Sequence, residues 1–295
     1  MKILFPPGIG DIYWSLVKLQ SFLEKKGETK KPDIYIGTRP DEFNSHNRAW
    51  PFIEMFPFVN STREILNVDE NPPRFWQEAY TQSETGIFAD VLGCDYFMVY
   101  NGPINAGVSL DEVDPEYKCN WDLPMTVSLH QKEYTSQCIV QFGEYVVYHF
   151  GTRGTYKYWT DEFDVAKIVR AIRKISNRTG TKAILAGGIW DREDKGQSRI
   201  AKDANCIDMR GETSLEELYG MIRGAKAVVG FPSGLSILSP ALGTKTLSFW
   251  SQLYPENTWW NVVPPNTHGK LYYAARTKDL TPGIFADLAE GIINA

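Results

Sequence analysis

From residue 145 to residue 250 the chain alternates strand-length apolar runs with helix-period stretches, and no other feature limits its fold as strongly. Tyr145–Phe150, Thr181–Ala186, Cys206–Met209, Ala227–Gly230 and Lys245–Trp250 read as buried strands. Between the first two, Val165, Ile168, Val169, Ile172 and Ile175 fall on one helix face. Thr160 is the expected cap of that helix, Asp161, Glu162 and Asp164 its acidic first turn, and Gly180 its stop. Asp191–Asp203 is a polar helix pattern. Ser214-Leu215-Glu216-Glu217 is a capping box ahead of a helix faced by Leu215, Leu218, Tyr219 and Ile222. Parallel strands need a crossover and antiparallel ones do not, so this strict alternation predicts a parallel sheet with helices on both faces.

Inside that pattern, Phe231-Pro232-Ser233-Gly234-Leu235 follows the apolar strand and opens into a short helix carrying Leu235, Leu238 and Leu242. A strand that ends in small residues and turns into a helix leaves free backbone N–H groups at the turn. Those donors and the helix dipole favour an anion such as a phosphate. An earlier loop, Gly151–Trp159, adds two cations and two threonines after the first strand.

The amino terminus repeats the theme. Lys2–Phe5 is a strand, Pro6–Gly10 a turn, and Ile12, Leu16, Leu19 and Leu23 one face of a helix that Gly27 ends. Asp33–Gly37 is a second strand. Gly8 and Gly10 resemble the start of a dinucleotide fingerprint, but Tyr13 holds its third glycine position, which argues against a nicotinamide site. Asp11 reads either as a carboxylate capping the first turn or as a base held at the edge of a cleft, and this stretch leaves both open. Downstream, Arg48–Val59 suggests a helix ending near Pro57, Arg63–Leu66 and Tyr96–Tyr100 suggest strands, and residues 101–135 are expected to be acceptor-facing loops. Leu271–Ala274 reads as an added strand, and Pro282 opens a last helix with Leu288 and Ile292 on one side.

At 295 residues the chain has length for two domains, and a net charge of −5 gives no pull toward nucleic acid or an acidic membrane surface. Cys94, Cys119, Cys138 and Cys206 lack any C-x-x-C spacing, as expected of free thiols in a reducing cytoplasm. The first residues, soon broken by Pro6-Pro7, are not expected to act as a signal peptide, and no apolar run reaches membrane-spanning length. His46, His130, His149 and His268 are scattered without metal-ligand spacing, and neither Asp-x-Asp nor a P-loop occurs.

Four stretches carry a family likeness: Gly8-Ile9-Gly10-Asp11, Thr152-Arg153 through Lys157-Tyr158-Trp159, Ala186-Gly187-Gly188 with Asp191 and Glu193, and Gly211–Leu218 followed by Ala225–Gly243. Together they resemble the bacterial heptosyltransferases, glycosyltransferase family nine. The resemblance implies an α/β GT-B fold, two Rossmann-like doubly wound domains facing a cleft: residues 1–144 on the acceptor side, 145–280 binding a nucleotide sugar, and 281–295 a helix returning to the first domain. It implies transfer of a sugar, ADP-heptose-like, from a nucleotide diphosphate to a hydroxyl of a glycan or glycolipid acceptor. The nucleotide sugar is a co-substrate, and neither cofactor nor metal is expected. Peripheral membrane contact and oligomeric state stay open. Asp11 would be the general base. Lys157, with Arg153 and Thr152, would neutralise the departing diphosphate. Ser233, Gly234 and Leu235 would offer amides and a hydroxyl to the same phosphates, and Gly187, Gly188, Thr213 and Leu215 would border the nucleoside.

The chain departs from the family pattern at the central turn. Where the family has Asp-Thr-Gly and a histidine three positions later, Pro232-Ser233-Gly234 and Ile237 stand here. A carboxylate and an imidazole are missing, and proline removes one N–H. The alternative reading is therefore a GT-B module that binds nucleotide or sugar with impaired turnover. A third is a nucleotide-sugar epimerase of GT-B type.

Overall fold

The computed structural model describes residues 1–5, 8–37, 50–65, 94–97, 109–113, 115–151, 164–254 and 256–295. The chain divides into two units, Met1–Ser128 and Leu129–Ala295.

The first unit holds a parallel sheet of order β3-β2-β1-β4, formed by β1 (Lys2–Phe5), β2 (Asp33–Gly37), β3 (Ser61–Ile65) and β4 (Tyr96–Phe97). Helix α1 (Ile9–Lys25) follows β1 and buries Ile12, Leu16 and Leu19 as its spacing requires, together with Trp14, Val17 and Phe22. Of the helix expected to end near Pro57, the structure describes α2 (Trp50–Ile53); Arg48 and Ala49 lie outside the described residues. Residues 101–108 lie outside the described residues. Beyond them, a short helix α3 (Leu110–Val113) and the segment 115–122 are laced onto α1 rather than left as open loop. Lys18, fully buried on α1, pairs with Asp111 at 3.3 Å and donates to the Tyr117 carbonyl. The Asn120 amide donates to the Val17 carbonyl at 2.7 Å, and the Lys118 amide to Ser21 Oγ at 2.9 Å. A buried lysine needs such partners, because an unpaired ammonium out of water costs several kcal/mol, roughly, per ion.

The second unit opens with a helix the sequence pattern hid. Helix α4 (Leu129–Phe142) occupies the last part of the expected loop and lies in the second unit. It turns only Gln131, Cys138 and Phe142 inward and leaves Val140 87% exposed, so it carries no apolar stripe. After it come β5 (Tyr145–His149), α5 (Val165–Thr179), β6 (Lys182–Leu185), α6 (Lys195–Asp203), β7 (Ile207–Asp208), α7 (Leu215–Gly224), β8 (Ala227–Gly230), α8 (Gly234–Ala241), β9 (Thr246–Trp250), α9 (Glu256–Asn261), β10 (Tyr272–Arg276) and α10 (Pro282–Asn294). Every pairing is parallel and the order is β10-β9-β8-β5-β6-β7. Counted from β5 this is 3-2-1-4-5-6 reversed, the doubly wound arrangement. Strands β5, β8 and β9 are buried along their whole length, as central strands covered on both faces must be.

Several local expectations shift. The cap of α5 is Asp164, whose carboxylate accepts the Lys167 amide at 2.8 Å; Thr160 lies outside the described residues. Gly180 stops α5 at φ 71° as expected. Asp194, not a residue near Asp191, caps α6, and Ile189–Arg192 form a separate 3-10 turn. On α10 the buried residues are Phe285, Ala286, Ala289, Ile292 and Ile293, while Leu288 is 38% exposed. Within its unit α10 packs along α5, with Phe249 and Phe285 edge-on at 4.3 Å and Arg178 reaching Asp287 and Glu290.

Candidate active site

Because all strands of the second sheet run parallel, their carboxyl ends share one edge. Loops from β6, β7 and β8 bring Gly187, Gly188, Thr213, Leu215, Ser233, Gly234 and Leu235 to it. The strand order reverses between β5 and β8, and ligands of doubly wound sheets bind outside that point. Phe231 anchors the β8–α8 turn. It is fully buried, edge-on to Phe150 at 5.3 Å, and Phe150 stacks on Tyr148.

At α8 the sequence expectation divides. Ser233 is its N-cap in a reciprocal capping box: its hydroxyl accepts the Ser236 amide at 3.5 Å, and its own amide donates to Ser236 Oγ at 2.8 Å. The Ser233 N–H is thus used internally. Among the described residues the amides of Gly234 and Leu235 carry no hydrogen bond. Two aligned donors at the positive end of a helix dipole suit an anion. Ile237, 5% exposed, packs inward and brings no polar group to the turn.

Gly187 and Gly188 are held by Asp191. Its buried carboxylate accepts the Gly188 amide at 2.8 Å and Gln197 Nε2 at 3.2 Å, so one of these amides is also spent. Arg210, buried, forks onto Asp208 at 2.8 and 2.7 Å and donates to the Asp191 carbonyl, pinning the 3-10 turn to β7. The guanidinium of Arg210 holds the Asp208 carboxyl below its usual range, against a smaller opposing effect of burial. Thr213 and Leu215 are half-buried where α7 begins. Thr152, Arg153 and Lys157 lie outside the described residues.

In the first unit Asp11 occupies the first turn of α1, at the carboxyl end of β1. It does not act as a cap. Gly8 takes the N-cap position with no side-chain cap bond, and among the described residues nothing donates to the Asp11 carboxylate. The side chain folds back over Gly8, where a Cβ would stand 2.3 Å from Oδ2. Burial pushes its carboxyl from 3.8 up to about 7. The helix N-terminus opposes this, but its contribution of about 0.3–1 kcal/mol is small beside roughly 1.4 kcal/mol for each pKa unit. A half-buried carboxylate of that pKa is suited to accept a proton near neutrality.

Two groups escaped the sequence reading. His149 ends β5 at the switch point, and only its register opposite Gly230 shows that it belongs to the edge. Arg210 resembled a surface charge, although its neighbour Asp208 was a visible partner. Among the described residues no group of three or more His, Cys, Asp and Glu gathers as metal ligands. No helix there is long and apolar enough to cross a membrane.

A parallel sheet followed by a doubly wound one is the architecture of GT-B glycosyltransferases, and solved structures share it. The ADP-heptose LPS heptosyltransferase II of E. coli is 14% identical with a TM-score of 0.65, over 99% of this chain and 98% of that one. A family 9 glycosyl transferase of Veillonella parvula is 9% identical with a TM-score of 0.68, over 99% and 96%. The E. coli heptosyltransferase WaaC with ADP-2-deoxy-2-fluoro heptose is 15% identical with a TM-score of 0.57, over 100% of both chains. At such identities the likeness is one of fold. A search of curated proteins returns no match. The sequence model of glycosyltransferase family 9 (heptosyltransferase) matches residues 112–268, more than half of the chain, and the chain belongs to that family of enzymes.

Proposed function

We propose that this glycosyltransferase moves a sugar from a nucleotide diphosphate donor, of the ADP-heptose kind, to a hydroxyl of a glycan or glycolipid, without a metal ion. Asp11 takes the acceptor's proton as the sugar carbon becomes electron-poor. Lys157, with Thr152 and Arg153, balances the charge of the leaving diphosphate. The amides of Gly234 and Leu235 bind the same phosphates, and Gly187, Gly188, Thr213 and Leu215 border the nucleoside. Ser233 acts by shaping the turn. The observation that carries this reading is Asp11: a first-turn carboxylate that caps nothing and is raised to about 7 by burial.

The test is Asp11→Ala with nucleotide-sugar turnover and nucleotide binding measured side by side. Turnover should fall by at least 100-fold, roughly the lower end for a lost general base, while binding persists. Unchanged turnover would remove the assigned base. Chelation with EDTA is expected to leave the rate unaltered; a rate restored only by added divalent ion would contradict the metal-free scheme.

A second reading is favoured by the turn itself. Pro232 lacks an N–H, the Ser233 amide is spent on Ser236, and Ile237 is buried. Such a site could bind a nucleotide sugar without turning it over. Product formed from any ADP-, UDP-, GDP- or CDP-linked sugar would exclude it.

A further inference from the structure

We propose that the second unit holds a separate binding site for a small phosphorylated molecule of sugar size, in the cavity at the amino ends of β6 and β7. The inference stands apart from the nucleotide reading above. The cavity, of about 450 Å³, opens among α5, the start of β6, the end of α6 and the start of β7. Its floor is apolar: Ala183 and Ala204 are buried and Ile207 is half-buried. Two cations line it, Arg173 of α5 and Lys182 of β6, together with the amide side chains of Asn177 and Asn205. No carboxylate does. Other cations of this unit are matched by acids, Arg178 by Asp287 and Glu290, and Arg199 by Asp203. Among the described residues no acid pairs with Arg173 or Lys182, and Lys182 Nζ reaches only the Gln141 carbonyl, at 3.4 Å.

Charge says what the cavity takes. Helix α5 carries no acid from Val165 to Thr179 and exposes Arg170 and Lys174 beside Arg173, so the local field is positive although the chain is net −5. The carboxyl ends of α5 and α6 also point here and oppose an anion, but each carries only roughly half an elementary charge, against two whole cations. A phosphate monoester brings nearly two negative charges and three acceptor oxygens at neutral pH. The planar fork of Arg173 can donate to two of those oxygens, and Lys182 answers as a point charge. The Asn177 and Asn205 amides suit sugar hydroxyls, and the apolar floor suits the carbon skeleton. From Lys182 to Gly188 the chain runs the length of β6, roughly 20 Å at 3.3 Å per residue. A phosphate in this cavity is therefore not the diphosphate at the opposite edge of the sheet.

The test is calorimetric titration of the full chain with glucose 6-phosphate and with glucose, in phosphate-free buffer at fixed ionic strength. Wild type should bind one glucose 6-phosphate, and glucose at least about tenfold more weakly. Arg173→Gln and Lys182→Gln change exposed side chains, so each should keep the wild-type Tm and weaken binding about tenfold, the scale of one charge-assisted hydrogen bond. Arg170→Gln, on the same helix outside the cavity, should cost about twofold or less. Gly234→Pro removes an open amide at the first helical position of α8, where proline fits, and should leave this affinity unaltered. Equal losses in Arg170→Gln and Arg173→Gln would reveal a diffuse basic face and overturn the site. So would binding to phosphatidylglycerol vesicles without binding of the soluble ester, which would make the face a membrane surface. Loss in Gly234→Pro would put the anion in the donor site, and equal affinity for glucose would remove the phosphate; either overturns the assignment, as does no binding by wild type. None of these results touches the nucleotide reading, which a parallel titration with ADP checks.

Discussion

Asp11 and Gly8 form one device. The missing Cβ at Gly8 lets the carboxylate fold back over the turn, and burial does the rest. Only the ionised form can accept a proton, so kcat/KM is expected to rise with pH through an apparent pKa near 7; a flat profile between about pH 6 and 8 would contradict it. Stability should move the other way. The folded-state pKa lies above the ordinary 3.8, so the native state binds the proton more tightly and loses stability as pH rises from about 4 through 7. Asp11→Asn removes that penalty. Its gain in Tm over wild type should grow between pH 4 and pH 8, with an upper bound of about 4 kcal/mol at 1.36 kcal/mol per pKa unit. A difference independent of pH would show that the carboxylate is not desolvated as described.

At the scale of elements, the edge of the second sheet is braced by a polar strut. Asp191 receives the Gly188 amide and Gln197, while Arg210 joins the Asp191 carbonyl to Asp208. Asp191→Ala leaves the half-buried Gly188 amide and the buried Gln197 donor unmet, at about 1–3 kcal/mol. A lower urea midpoint with an unchanged m-value should report it; an unaltered midpoint would mean water replaces the carboxylate without cost. The same strut explains why the glycine loop cannot offer every amide to a ligand. Helix α8 differs, since its capping box satisfies Ser233 and Ser236 and leaves the next two amides open.

Across the whole molecule, the division after Ser128 assigns α4 to the second unit. There it packs on α7, with Thr135 Oγ1 donating to the Gly220 carbonyl at 2.8 Å, and Tyr145 reaches the Met221 carbonyl of the same helix at 2.7 Å. A fragment of residues 129–295 is expected to fold with a cooperative thermal transition. One beginning at 145 uncovers α7 and should melt lower or aggregate. Equal melting of the two fragments would show that α4 is an accessory.

The alternation of apolar runs and helix periods was enough to determine the doubly wound second sheet, its capping box at Ser214 and the turn after Gly230. Each of those follows from local periodicity and from donors that a helix start must expose. Helix α4 was not legible, because its inward face is set by a neighbour in space and carries a glutamine instead of an apolar stripe. The same holds for buried Lys18, for the capping role of Asp164, and for the spent amides of Ser233 and Gly188. Asp11 marks the division most plainly. Its spacing after two glycines allowed both a cap and a base, and only packing shows that the carboxylate caps nothing and is raised by burial.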